Sequence, residues 1–200
     1  MKSSLLFLLT LPFLAQSFER PDGMILKAFF TPQDDIRQVL LDLIHDETQS
    51  ISIMAYYITD RSIIQALENA AKNHIAIKII LDYWWLTHNQ KRLTKLIKEL
   101  SIHGYKSSNN GIMHNKFVIF NCNRHKRPLI WSGSFNFSHE SQTRNNENII
   151  LSNDAQLIQQ YQQIFNDAYQ HAMPLEQIPF RSKKSKAVKI QVTERPSLPL

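Results

Sequence analysis

Along the 200-residue chain, apolar positions switch repeatedly between a period near 3.6 residues and a period of two. From Pro32 to Glu47, Ile36, Val39, Leu40, Leu43 and Ile44 recur at helical spacing, with Asp34 and Asp35 near the start, where the helix dipole favours anions. Ser50 to Tyr57 alternates Ile51, Ile53 and Ala55 against their neighbours and predicts a strand. Thr59 or Asp60 then caps a helix carrying Ile63, Ile64, Leu67 and Ala71. Ile75 to Asp82 is mostly apolar, the pattern of a strand covered on both sides. His88 to Leu100 predicts a helix with Leu93, Leu96, Ile97 and Leu100 on one face. Asn153 to His171 predicts a last helix that turns Leu157, Ile158, Tyr161, Ile164, Phe165 and Ala168 inward.

Three shorter apolar runs complete the pattern: Gly111 to Phe120, Leu129 to Trp131 and Ile149 to Leu151. Strands separated by amphipathic helices argue for a layered α/β domain.

The first short run carries chemistry. As a strand, Gly111-Ile-Met-His-Asn-Lys-Phe-Val-Ile-Phe120 places His114 and Lys116 side by side on one face. A lysine is a point charge for phosphate oxygens, and a neutral imidazole can attack phosphorus or carry a proton near neutral pH. Gly133-Ser-Phe-Asn-Phe137 follows the second run, in the turn where that strand ends. Small residues there let the backbone approach a ligand, and Ser134 and Asn136 can donate hydrogen bonds to phosphate oxygens. Glu147 precedes the third run, and a carboxylate beside the imidazole would hold one tautomer and stabilise the cation formed during transfer.

The ordered set His114-x-Lys116, Gly133-Ser134-x-Asn136 and Asn145-x-Glu147-Asn148 resembles the HKD signature of the phospholipase D superfamily. Its flanking residues resemble the short single-motif branch that includes bacterial periplasmic endonucleases, from about Met24 to Tyr169. The resemblance implies an α/β layered sandwich in which a mixed β-sheet is covered by helices on both faces. It also implies phosphodiester hydrolysis by His114, Lys116, Asn136 and Glu147, with Ser134 joining Lys116 and Asn136 on the substrate. One position departs: the family pattern places an Asp five residues after the Lys, where this chain has Asn121. Asn keeps the shape but loses the charge, so weakened activity is expected, and an inactive nucleic-acid-binding homologue is the alternative. The segment Asn123-Arg-His-Lys-Arg-Pro128 reads as a hairpin loop longer than the family norm.

A single motif constrains the mechanism. In-line displacement sets the attacking atom and the leaving oxygen on opposite sides of phosphorus, and one imidazole cannot stand on both. The simplest second source is another copy of the chain across a two-fold axis, and the family's short members are similarly thought of as homodimers. Lysines supply positive charge, and the sequence has no H-E-x-x-H or Cys/His cluster, so no metal and no cofactor is expected.

The ends refine the picture. Lys2, the apolar run Leu5 to Leu14 and Ala15-Gln-Ser17 describe a signal peptide over residues 1–17, cut after Ser17, which predicts a periplasmic or secreted protein. Residues 18–173 then form one catalytic domain, and 174–200 a mobile, proline-containing basic tail. The formal net charge of +6 belongs mostly to residues 181–200 of that tail, where Arg181, Lys183, Lys184, Lys186, Lys189 and Arg195 face Glu194 alone. Such an arm suits nucleic acid or an acidic lipid surface, or simply solvates the terminus. Cys122 is the only cysteine, so no bridge can form within one chain.

Two further groups stay open at this level. Tyr83-Trp-Trp85 can stack bases, rest at a lipid interface or fill the core. Lys91, Arg92, Lys95 and Lys98, with Arg124, Lys126 and Arg127, can line a polyanion channel or form a solvated face. Three function classes follow: a nuclease of little sequence preference, a phospholipid (cardiolipin-type) phosphodiesterase, and a binding protein that keeps only the phosphate cradle.

Overall fold

The computed structural model describes residues 23–97, 100–109 and 111–180. Eight strands, β1 (Leu26–Phe30), β2 (Ser50–Ala55), β3 (Ala76–Asp82), β4 (Ile102–Tyr105), β5 (Lys116–Phe120), β6 (Leu129–Gly133), β7 (Asn148–Ser152) and β8 (Met173–Pro174), form one sheet in the order β1-β7-β6-β5-β2-β3-β4-β8. Strands β2, β3 and β4 run parallel and the remaining pairs antiparallel, so the sheet is mixed. The helices are α1 (Ile36–Asp46), α2 (Arg61–Lys72), α3 (Tyr83–Leu96), α4 (His139–Thr143) and α5 (Ala155–His171).

The two-residue alternation sorts each strand between two cores. On one face, Ile51, Ile53, Ile79, Leu81, Val118, Phe120, Trp131 and Leu151 pack with Leu40, Leu43, Ile63, Leu67 and Leu93 from α1, α2 and α3. On the other, Met54, Ile80, Phe117, Ile119 and Ile130 pack against Ile158, Phe165 and Ala168 of α5. Helices therefore cover both faces, as the resemblance implied. Each helix starts on a side chain that accepts from its first-turn N–H groups: Asp35, Asp60, Asp82, Ser138 and Asp154.

The structure corrects several expectations. Helix α3 begins at Tyr83 rather than His88, because Asp82 caps it by accepting from the Trp85 N–H at 2.7 Å. Tyr83 and Trp85 thereby pack against the first core, and Trp85 stacks on Tyr57 with ring centroids 5.7 Å apart. β1, β4 and the short α4 have patterns too brief to read from the sequence. Pro174 pairs with His103, and Leu175 and Ile178 are buried in the first core, so the start of the expected tail is part of the domain. Ile178 packs directly onto Gly104, where a Cβ would collide with its Cδ1. The expected signal peptide and the basic stretch 181–200 lie outside the described residues.

Candidate active site

One end of the sheet collects the chemistry. β5 begins at Lys116 where β2 ends at Ala55, its partner in register, and Ala55 also pairs with Leu81, one residue before Asp82. One step beyond the Phe117–Ser132 pair, Gly133 closes β6 beside Lys116, and Gly133 in turn pairs with Ile149 at the start of β7. Neighbouring strands lie about 4.8 Å apart, so Tyr56, Asp82, Lys116, Gly133 and Asn148 converge at the carboxyl ends of the parallel strands β2 and β3. Gly133 is required there: an added Cβ would collide with the Asn148 carbonyl.

His114 lies two residues before β5 rather than within it, yet it meets Lys116 as the alternation implied. The Lys116 ammonium stands 3.0 Å from His114 Nδ1 and donates to the His114 carbonyl at 2.6 Å. An ammonium only donates, so Nδ1 accepts and the neutral ring carries its proton on Nε2. His114 is exposed, whereas Lys116 is only 6% exposed. Burial, followed by the neighbouring Lys116 charge, lowers the His114 pKa, and Asp82 opposes the shift. Burial also lowers the pKa of Lys116, against the pull of Glu147. The lowered His114 pKa favours a neutral, nucleophilic imidazole near pH 7.

The turn after β6 is held from behind. Phe135 and Phe137 are fully buried, both against Trp131, and the Phe137 carbonyl accepts from Thr59 N–H at 2.8 Å and Asp60 N–H at 3.0 Å. Asn136 stands between these anchors, and its Oδ1 is buried without a hydrogen-bond partner among the described residues. An orphaned buried amide oxygen marks unused hydrogen-bonding capacity at the site. Ser134 is exposed; its Oγ donates to Glu147 Oε2 at 2.5 Å and accepts from the Asn148 N–H at 3.1 Å.

Glu147 differs from its expected role. Its carboxylate accepts from Ser134 and, at 2.9 Å, from Asn145 Nδ2, while its backbone exchanges hydrogen bonds with Thr31. It makes no bond to His114 of the same chain and acts on Lys116 through its charge. The carboxylate that acts on His114 is Asp82, fully buried, which sequence reading treated only as the end of a strand. Tyr56 was also missed; its ring lies 5.0 Å from the imidazole and 6.0 Å from the Lys116 ammonium. An acidic residue closing an apolar parallel strand was the one signal available for Asp82.

Asn121 is remote from all of this. It follows the last residue of β5, about 17 Å along the strand from Lys116, and its Nδ2 donates to Ser50 Oγ at 2.7 Å. Beside it, buried Glu47 accepts from the N–H groups of Gln49, Ser50 and Cys122. The hairpin cations share that far end: Arg124 pairs with Asp46 at 3.0 Å and Arg127 contacts the Gly23 carbonyl. They do not line the catalytic end. A cavity of about 580 Å³ opens beside His114, walled by Met54, Ile112, Met113, Ile164 and Ala168, with Asp167 and His171 at its α5 side. Among the described residues, no three His, Cys, Asp or Glu side chains come together as a metal cage, and no helix is long and apolar enough to cross a membrane.

Residues 40–169 match the family described as "Cardiolipin synthase, PLD-like domain". A phospholipase D of Rickettsia typhi is 34% identical over 134 residues, which is 67% of this chain and 63% of that protein. A mitochondrial cardiolipin hydrolase of Chlamydomonas reinhardtii is 27% identical over 126 residues, 63% of this chain and 54% of that protein. The match thus spans less than two thirds of these relatives' length. Among solved structures, Nuc from Salmonella typhimurium, titled a phospholipase D family member, superposes with a TM-score of 0.65 at 23% identity, covering 76% of this chain and 97% of that one. NucT from Helicobacter pylori gives 0.63 at 22% identity, covering 76% and 99%. These structures share the fold.

Proposed function

Because the chain belongs to the phospholipase D superfamily, whose members are phosphodiester hydrolases, we propose that it cleaves phosphodiesters through a phosphohistidine at a site shared by two copies, with nucleic acid as the first candidate substrate. The carrying observation is the His114–Lys116 contact at 3.0 Å, at a sheet end that also presents Asn136 and Ser134. A substrate phosphate draws the Lys116 ammonium off the imidazole and onto its own oxygens, which frees the ring for attack. A ring nitrogen of the neutral His114 bonds to phosphorus as the ester P–O bond breaks, and His114 of the second copy, as the imidazolium, gives a proton to the departing alkoxide. That second imidazole, now neutral, takes a proton from water; the hydroxide displaces the histidine and releases the phosphate monoester. Lys116 neutralises the phosphoryl oxygens, the Asn136 Nδ2 donates to them, Ser134 assists, and Glu147 fixes Ser134 and steadies the Lys116 charge.

A bare sheet face supports the two-copy reading. Ile150 lies opposite Ser132 and Ala28, on the α5 side, because Ser132 bonds Tyr161 of α5. Leu26, Phe30 and Ile150 on that face are 55%, 51% and 45% exposed, and Ile112 and Ile164 are 52% and 54% exposed. A two-fold pairing over this strip would cover apolar side chains that now face solvent. The exposure of His114 and Ser134 favours a long polyanion over an enclosed small ligand.

The cavity beside His114, walled in part by Met54, Ile112, Met113, Ile164 and Ala168, favours a second reading, a phospholipid phosphodiesterase, in agreement with the names of the curated relatives. Plasmid nicking and headgroup release from cardiolipin vesicles, measured with the same purified protein in chelator, separate the two. Nicking that disappears in His114→Ala supports the nuclease. Headgroup release without nicking overturns it in favour of the lipid, and an active His114→Ala overturns the mechanism itself.

A further inference from the structure

Asp82 joins three pieces of chain that the reaction needs in register, two through its carboxylate and one through its backbone. One oxygen accepts from the Trp85 N–H at 2.7 Å and so starts α3; the other accepts at 2.9 Å from the N–H of Met113, the residue immediately before His114. Its backbone N–H donates to the Tyr56 carbonyl at 3.3 Å, and the Tyr56 ring packs on the imidazole. The side chain is fully buried in a domain that could have capped α3 with a neutral serine, as it caps α4 with Ser138. Met113 is itself only 4% exposed, so the backbone beside His114 is fixed on both sides, by its buried side chain and by this hydrogen bond.

We propose that Asp82 is the positioning residue for His114: through the Met113 N–H and the Tyr56 carbonyl it fixes where the imidazole stands. The proposal rests on His114 as the reacting group and supplies the carboxylate that Glu147 does not provide within its own chain. The groups facing the ring are Lys116 from β5, Asp82 from β3 and Tyr56 after β2, with Asp167 and His171 of α5 across the cavity. Lys116 opposes protonation of the ring and Asp82 favours it. Removing the Asp82 charge therefore shifts the imidazole toward its neutral form, and the acid limb of the rate profile moves to lower pH.

Asp82→Asn tests this. The amide oxygen can still cap α3, but its nitrogen cannot accept from Met113, and the charge is gone. Turnover of the intact full-length protein should fall by about 10- to 100-fold with KM little changed, the acid limb should move to lower pH, and the His114 midpoint followed by NMR should move with it. Asp82→Ser, which also caps a helix, should give the same pattern. Rates are divided by the fraction of protein that remains folded in thermal unfolding. If both variants lose stability alone, with turnover per folded molecule and the acid limb unchanged, Asp82 is a helix cap and nothing more. His114→Ala serves as the separate control: activity surviving in it removes the reacting group, whereas a dead His114→Ala beside unperturbed Asp82 variants removes only the positioning role.

Discussion

Lys116 touches His114 twice, ammonium to Nδ1 at 3.0 Å and ammonium to the backbone carbonyl at 2.6 Å, so the buried cation is held by the residue it is set to activate. The positive charge of Lys116 rests on an uncharged partner, which makes release toward a phosphate oxygen inexpensive.

Lys116→Met tests that relationship through the imidazole. An ammonium beside the ring disfavours the imidazolium, so removing it raises the His114 pKa, although burial continues to act downward. The His114 midpoint followed by NMR should move to higher pH. Phosphodiester turnover should fall by about 100- to 1000-fold, since a preorganised cation at the phosphoryl oxygens is lost.

Gly133→Ala should destabilise the fold by about 1–3 kcal/mol, because its Cβ would press on the Asn148 carbonyl where β6 and β7 approach. Urea unfolding measures this as a lower midpoint. The opposed contact is backbone, so no rotamer change relieves it.

Phe30→Asp and Ile150→Asp place a charge on the bare sheet face without disturbing either core, since both side chains are about half exposed. Folding should survive. Sedimentation should show a monomer, and activity should fall at low protein concentration and recover partly as concentration rises. A variant that stays monomeric and fully active would remove the shared site.

Asn121→Asp should change turnover by less than about twofold. An aspartate there can accept from the Ser50 hydroxyl that now receives the Asn121 amide hydrogen, at the end of β5 remote from Lys116. Steady-state rates on one substrate decide it; a large gain would show that the far end of the strand reaches the site.

The layered α/β order was legible because α1, α2, α5 and the central strands carry long, unambiguous periods. His114, Lys116, Ser134 and Asn136 were legible because their residue types and spacing suit phosphate chemistry, and the structure brings them to one sheet end. What escaped notice depended on pairing across long sequence intervals. Asp82 and Met113 lie 31 residues apart, and Glu147 and Thr31 116 apart, so no local pattern announces either contact. Asn121 stands away from the site for a related reason: the motif is written as a continuous string, but a strand carries its fifth residue to the opposite end of the sheet. There Glu47 already gathers the loose N–H groups, which leaves the amide a local structural task.

The short run Leu175 to Ile178 behaves as a buckle. It drops Ile178 over Gly104 and Leu175 into the same core, and the Leu175 carbonyl receives the Gln90 amide at 2.8 Å. A version of the protein shortened to the last turn of α5 would bare that greasy trough and strip a strand from the outer rim. Expression work seeking the smallest soluble unit should therefore keep the chain through Ile178 and place any affinity tag beyond it.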